Sequence, residues 1–186
     1  MTSNPPRRLV TGHDANGKSV FLEDGPPPQF NAASNERVTY YELWNTEGAP
    51  TPIHPVEARE PNDRPLQLPP PRQGTIIRMI DVHAGNAKGM VKREDGRSSA
   101  MHRTSTIDYA VVMSGEIYAV LDDEERLMRT GDILIQRGTD HTWEDRSKES
   151  CRMLFVLIDG EFTEETKALV PNMLVNIAPP SLRKEH

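Results

Sequence analysis

The chain has 186 residues, a formal net charge of −6 and one cysteine; that length suits one domain with a real core, burying roughly 70% of the surface its unfolded form exposes. The acidic balance excludes a phosphate-binding surface, and with it a nucleic-acid or anionic-membrane role. Cys151 alone excludes an internal disulfide, and MTSNPPRRLV lacks the apolar stretch of a signal peptide, as every later segment lacks the ~18 apolar residues of a membrane span, so the chain reads as soluble and cytoplasmic.

In chain order, residues 1–73 read as an arm. LVTGHDA and KSVFLE are two strands joined at Asn16-Gly17, a pair that tolerates the positive φ of a type I′ turn. A proline loop, the strand VTYYELW and a second proline-rich linker follow, with prolines gathered at 26–28, 50–55 and 61–71, where no helix can run. Tyr40, Tyr41 and Trp44 read as packing residues, against the rest of the chain or a second subunit. His13 and His54, in turn and proline-rich segments, and His186 at the end read as exposed and idle.

Residues 74–160 carry TIIRMIDV, DYAVVM, EIYAVL, DILIQ and CRMLFVLI in quick succession. They are rich in Val, Ile and Tyr and punctuated by Ser114-Gly115 and Thr130-Gly131, the pattern of antiparallel strands joined by hairpins. A sheet this long hides its edges by closing, or by folding into a two-sheet barrel. His83 follows TIIRMIDV with no spacing partner, and Cys151 opens a buried strand as a structural thiol. In residues 161–186, EFTEETKAL over 161–169 predicts a short helix, with acids early and Lys167 late to suit its dipole.

His102, Arg103 and Asp108 stand directly before the apolar YAVVM. A histidine and an acid entering a buried strand need partners, or a metal, to offset their desolvation. Across residues 96–145 the spacing resembles the two motifs of the cupin family, G-x5-H-x-H-x3,4-E-x6-G and G-x5-P-x-G-x2-H-x3-N. Gly96 fits the leading glycine, His102 the first histidine, Asp108 the glutamate and Gly115 the closing glycine; Gly131, Gly138 and His141 follow the second motif. The departures are Thr104 for the second histidine, Asp108 for glutamate, Gln136 for proline and Asp145 for asparagine, with four residues in place of five between Gly131 and Gln136.

The resemblance implies an all-β fold, a cupin-like antiparallel β-barrel (jelly roll) bearing the N-terminal hairpin arm and the short C-terminal helix. Alternation turns Asp108, Ala110 and Val112 one way and Tyr109, Val111 and Met113 the other, and gives His141 and Trp143 a common face. The same parity sends Arg103 away from His102, as a structural ion-pair partner. In a cupin-like barrel His102, Asp108 and His141 point into the mouth, with Thr104, Gln136 and Trp143 lining the pocket. Two imidazoles and a carboxylate are the ligand set of one divalent ion, Fe, Mn, Ni or Zn; without metal the same three serve as general acid and base. The expected function is a small-molecule enzyme, a lyase, dehydratase, isomerase or decarboxylase acting on a carbonyl or carboxylate compound. The alternatives are an Fe(II) dioxygenase and a noncatalytic ligand-binding or regulatory barrel. The resemblance also implies a homodimer.

Overall fold

The computed structural model describes residues 4–32, 37–56, 68–88 and 100–170. Gly96, the second proline-rich linker over 61–67 and the tail from 171 lie outside them. The elements are β1 (Arg8–His13), β2 (Ser19–Gly25), β3 (Gln29–Ala32), β4 (Val38–Thr46), β5 (Thr75–Val82), β6 (Thr106–Ser114), β7 (Glu116–Val120), β8 (Glu125–Arg129), β9 (Ile133–Arg137), β10 (Thr142–Glu144), β11 (Cys151–Asp159) and α1 (Glu164–Leu169). Every strand pairing is antiparallel. The large sheet runs β3-β4-β5-β11-β6-β9, the small one β10-β7-β8, and β1-β2 stands apart as a hairpin. Among the described residues the two larger sheets share no ladder, so the two-sheet form of the barrel is the one adopted.

The core lies between the sheets. From the large sheet come Ile76, Val82, Ala110, Val112, Cys151, Met153, Phe155 and Leu157, and from the small one Ile117, Ala119 and Met128. The alternation written into β6 is obeyed: Asp108, Ala110 and Val112 are buried while Tyr109 and Met113 are exposed. Cys151 is fully buried, and burial beside Asp145, Asp81 and Glu116 pushes its thiol up to about 12, as befits an inert packing group.

Four expectations change. VTYYELW belongs to the large sheet, not to a peripheral arm, for β4 pairs with β5 along its length. The β1-β2 turn is wider than a two-residue I′ turn: Asp14 accepts from the backbone of Asn16 and Lys18 through its carboxylate, and only Gly17 takes a positive φ. Ser114-Gly115 and Thr130-Gly131 are not hairpin turns, because each carries the chain from one sheet to the other. The helix is shorter than 161–169; Thr163 caps it, its side chain accepting from the Thr166 amide.

The outer face of β4 and β5 is covered by the chain's own beginning. Arg152 pairs with Asp81 at 2.6 Å and donates to the Asn4 carbonyl at 2.8 Å, and its guanidinium lies over the Tyr41 ring. Arg8 lies over Trp44 and donates to the Leu43 carbonyl. Tyr41 is thereby buried on an otherwise outward face.

Candidate functional site

His102 and His141 meet because a short bridge joins the segment before β6 to the residue before β10. Each backbone amide donates to the other's carbonyl, at 3.0 and 2.9 Å. The imidazole centroids are 4.4 Å apart. Each ring spends one nitrogen on a local carbonyl, His102 Nδ1 on Ala100 and His141 Nδ1 on Thr139, both at 3.0 Å. Since a carbonyl only accepts, Nδ1 carries a proton in both rings, and in the neutral form of either ring Nε2 is the lone-pair nitrogen. Burial, aided by the neighbouring His102 and opposed by the Thr139 bond, pulls His141 down to about 3. It is a neutral imidazole at any ordinary pH.

An aromatic wall continues from this pair. His141 meets Trp143 edge-on at 6.0 Å, and Trp143 meets Phe155 edge-on at 5.4 Å. Trp143 thus packs on the core while sharing the face of His141, as strand alternation requires.

Asp108 lies on the inner face of β6, buried, with Oδ1 lacking a hydrogen-bond partner among the described residues. Burial raises its pKa to about 6, against the Thr106 hydrogen bond and the Arg78 charge, which lower it. Thr104 Oγ1 is 2.7 Å from Thr106 Oγ1. Thr106 has one hydroxyl proton; when it donates to ionised Asp108, Thr104 donates to Thr106 in turn, making a short chain of donors that ends on the carboxylate. Gln136 is buried, but its amide is taken by the Thr139 carbonyl and hydroxyl, so it braces the turn that carries His141. Arg103 pairs with Asp140, the structural role its parity assigned. His83 bonds Thr39 at 3.0 Å and takes no part in the site, while His13 and His54 are exposed.

The interior holds three groups that the sequence reading assigned no role here. Arg78 and Glu42, directly opposite on β5 and β4, form an ion pair at 2.5 Å with side chains 2% and 7% exposed. Tyr40 lies beside the same guanidinium, with ring centroid 5.8 Å away. A signal did exist: Arg78 holds the parity of Ile76 and Ile80, Glu42 that of Val38 and Tyr40, so two opposite charges occupied inward positions of two apolar strands.

As a metal seat, the pair offers two Nε2 atoms held by backbone bonds. Among the described residues, however, no three His, Cys, Asp or Glu side chains stand together as ligands of one ion. The His102, Asp108 and His141 set implied by the resemblance is therefore not assembled. The reason is chemical: Thr104 replaces one imidazole and bonds Thr106, while the short Asp108 side chain bonds Thr106 within the field of Arg78.

Residues 89–157 match the family described as the cupin domain. The chain is 34% identical over 161 residues to phomopsin biosynthesis cluster protein C' of Diaporthe leptostromiformis, covering 84% of this chain and 79% of that protein. It is 32% identical over 159 residues to the cupin-domain-containing oxidoreductase fogC of Aspergillus ruber, covering 82% and 71%. To the cupin-domain-containing oxidoreductase virC of Hypocrea virens it is 30% identical over 159 residues, covering 82% and 75%. Two packed sheets carrying a bridged histidine pair and an inward carboxylate, the matched stretch and relatives alike over most of their length agree: the chain belongs to the cupin superfamily.

Proposed function

We propose that this chain is an enzyme that moves a proton on a small carbonyl or carboxylate compound held inside the barrel, with a lyase, dehydratase or isomerase outcome. The observation that carries the proposal is Asp108, an inward carboxyl with one oxygen that lacks a hydrogen-bond partner among the described residues and a pKa of about 6, in a barrel that also bears the neutral His141 imidazole. A group titrating near neutral pH both takes and returns a proton efficiently. Asp108 Oδ1 removes the proton beside the substrate carbonyl. The His141 Nε2 lone pair accepts a hydrogen bond from a substrate hydroxyl and so orients the compound, and Trp143 and Phe155 keep water from the reacting face. The Thr104-Thr106 hydroxyl chain holds Asp108 in place.

A second reading is an oxidoreductase, the Fe(II) dioxygenase among them, and the printed names of the Aspergillus and Hypocrea relatives favour it. The Diaporthe relative is named for a biosynthesis cluster, which favours a biosynthetic intermediate as substrate. The deciding experiment incubates the purified chain with carbonyl and carboxylate intermediates, following product mass and dissolved oxygen, beside metal analysis. Isomerisation, or loss of water or carbon dioxide without oxygen uptake, supports proton transfer; gain of oxygen or loss of two hydrogens supports the redox reading. Asp108→Asn is expected to lower turnover about a hundredfold or more. Full activity in that variant overturns the assignment, and no turnover of any compound leaves the noncatalytic barrel as the better description.

A further inference from the structure

The inner face of the large sheet carries a charge pair, Arg78 with Glu42, that stability alone does not explain. Taking both groups out of water costs about as much as their attraction returns, and apolar side chains of like size pack such a place at least as well. Register shows what lies beside the guanidinium. Arg78, Phe155 and Ala110 form one buried row across β5, β11 and β6, and Ile76, Leu157 and Asp108 form the next. Arg78 and Asp108 thus stand two strands apart, roughly 10 Å at the usual strand spacing, with Phe155 and Leu157 between them as an apolar floor. The floor continues through Trp143, edge-on to Phe155, as far as His141. An apolar surface bounded by a few placed polar groups is the build of a small-molecule site.

The Arg78 side chain is only 2% exposed, so what covers it decides what it binds. Glu42 pairs with Nη2, while Nη1 points to the Leu68 backbone carbonyl at 3.5 Å, the limit of a hydrogen bond. Leu68 begins the described segment that leads into β5. That segment is anchored at its far end, where the Gln73 amide donates to the Asp159 carboxylate at 2.7 Å and the Asp159 amide to the Gly74 carbonyl at 3.0 Å. A firm anchor at Gln73 and Gly74 and a long contact at Leu68 make the Leu68 carbonyl the part that yields. Its oxygen marks a place where Arg78 receives an acceptor. A carboxylate oxygen there makes a charge-assisted bond, shorter and about twice as strong as a neutral one, and Glu42 keeps a separate nitrogen of the fork.

We propose that the substrate is a short hydroxy acid, its carboxylate held by Arg78 in place of the Leu68 carbonyl, its carbon chain on Phe155 and Leu157 and its hydroxyl turned toward His141. The assignment rests on the proton-transfer reading for the reaction, but its binding is tested apart from turnover. As the carbon beside the carboxylate gives its proton to Asp108 Oδ1, the C–H electron pair moves into the carboxylate, where the guanidinium offsets the added charge. Amide NMR titrations of the full chain compare 3-hydroxybutyrate with 3-hydroxybutyramide, its uncharged counterpart. The acid is expected to bind about tenfold more tightly or better, with a shift at the Leu68 amide. Arg78→Met combined with Glu42→Leu is expected to lose that preference, urea unfolding certifying its fold. Glu42→Gln keeps an acceptor for the guanidinium but removes the competing charge, so it is expected to bind the acid more tightly, a gain that a merely structural pair does not give. Asp108→Asn is expected to retain the preference, so a failure of the catalytic reading leaves this assignment standing. No binding of the acid, equal affinity for acid and amide, an unchanged preference in the double variant or no gain in Glu42→Gln overturns it. Turnover of uncharged compounds alone also overturns it and leaves the catalytic reading intact.

Discussion

Arg78 and Glu42 illustrate how a charge pair in a barrel interior constrains its neighbours. With both side chains almost wholly buried, removing either alone strands the other charge in a poorly solvated place. Arg78→Met is therefore expected to cost about 3–5 kcal/mol in urea unfolding, whereas Arg78→Met combined with Glu42→Leu recovers most of that loss. A double-mutant cycle measures the difference; additive losses would show that the pair does not act as a unit. The same guanidinium lowers the pKa of Asp108, second only to the Thr106 bond among the influences doing so. The pair thus bears on the proposed chemistry as well as on stability.

At the scale of elements, the decisive features are the corners. β6 ends in the large sheet and β7 begins in the small one, with Gly115 alone between them at φ 81°. A Cβ on Gly115 would stand 3.0 Å from both the Cys151 Cα and the Ser150 carbonyl oxygen, whereas a Cβ on Gly17, at φ 75°, would meet nothing within 4 Å. Both positions tax any side chain through φ, but only the corner adds a clash with backbone. Gly17→Ala is expected to lower stability by about 1 kcal/mol, and Gly115→Ala by clearly more. Equal thermal shifts in the two variants would remove this account of the corner.

Across the whole molecule, the site leaves its mark on stability against pH. His141 is pulled from 6.5 to about 3 on folding, so the unfolded chain gains a proton the folded one refuses, and stability falls as pH drops from about 6.5 toward 3. Asp108 is raised from 3.8 to about 6, so the folded chain keeps a proton the unfolded one releases, and stability is lost as pH rises from about 3.8 to 6. The two slopes oppose each other between those values. Asp108→Asn removes the falling one, and its stability is expected to rise with pH over about 4–6 more steeply than that of the wild type. Urea midpoints at several pH values test this; parallel curves for the two proteins would refute it.

By itself the sequence determined whatever depends on neighbours along the chain. Alternation in β6 turned Asp108 inward and Tyr109 and Met113 outward, turn residues marked the strand ends, and motif spacing singled out His102 and His141 before any distance was known. The tertiary structure alone decided which strand met which: that β4 joins the large sheet, that Gly115 and Gly131 are crossings between sheets, that Arg78 meets Glu42. It also decided that Asp108 rests on Thr106 near Arg78 and completes no three-ligand set with the imidazoles. The physical reason is that alternation and turn preference act over a few residues, whereas pairing is a competition among distant partners. A missing methylene or an intervening hydroxyl settles that competition only once the strands have come together.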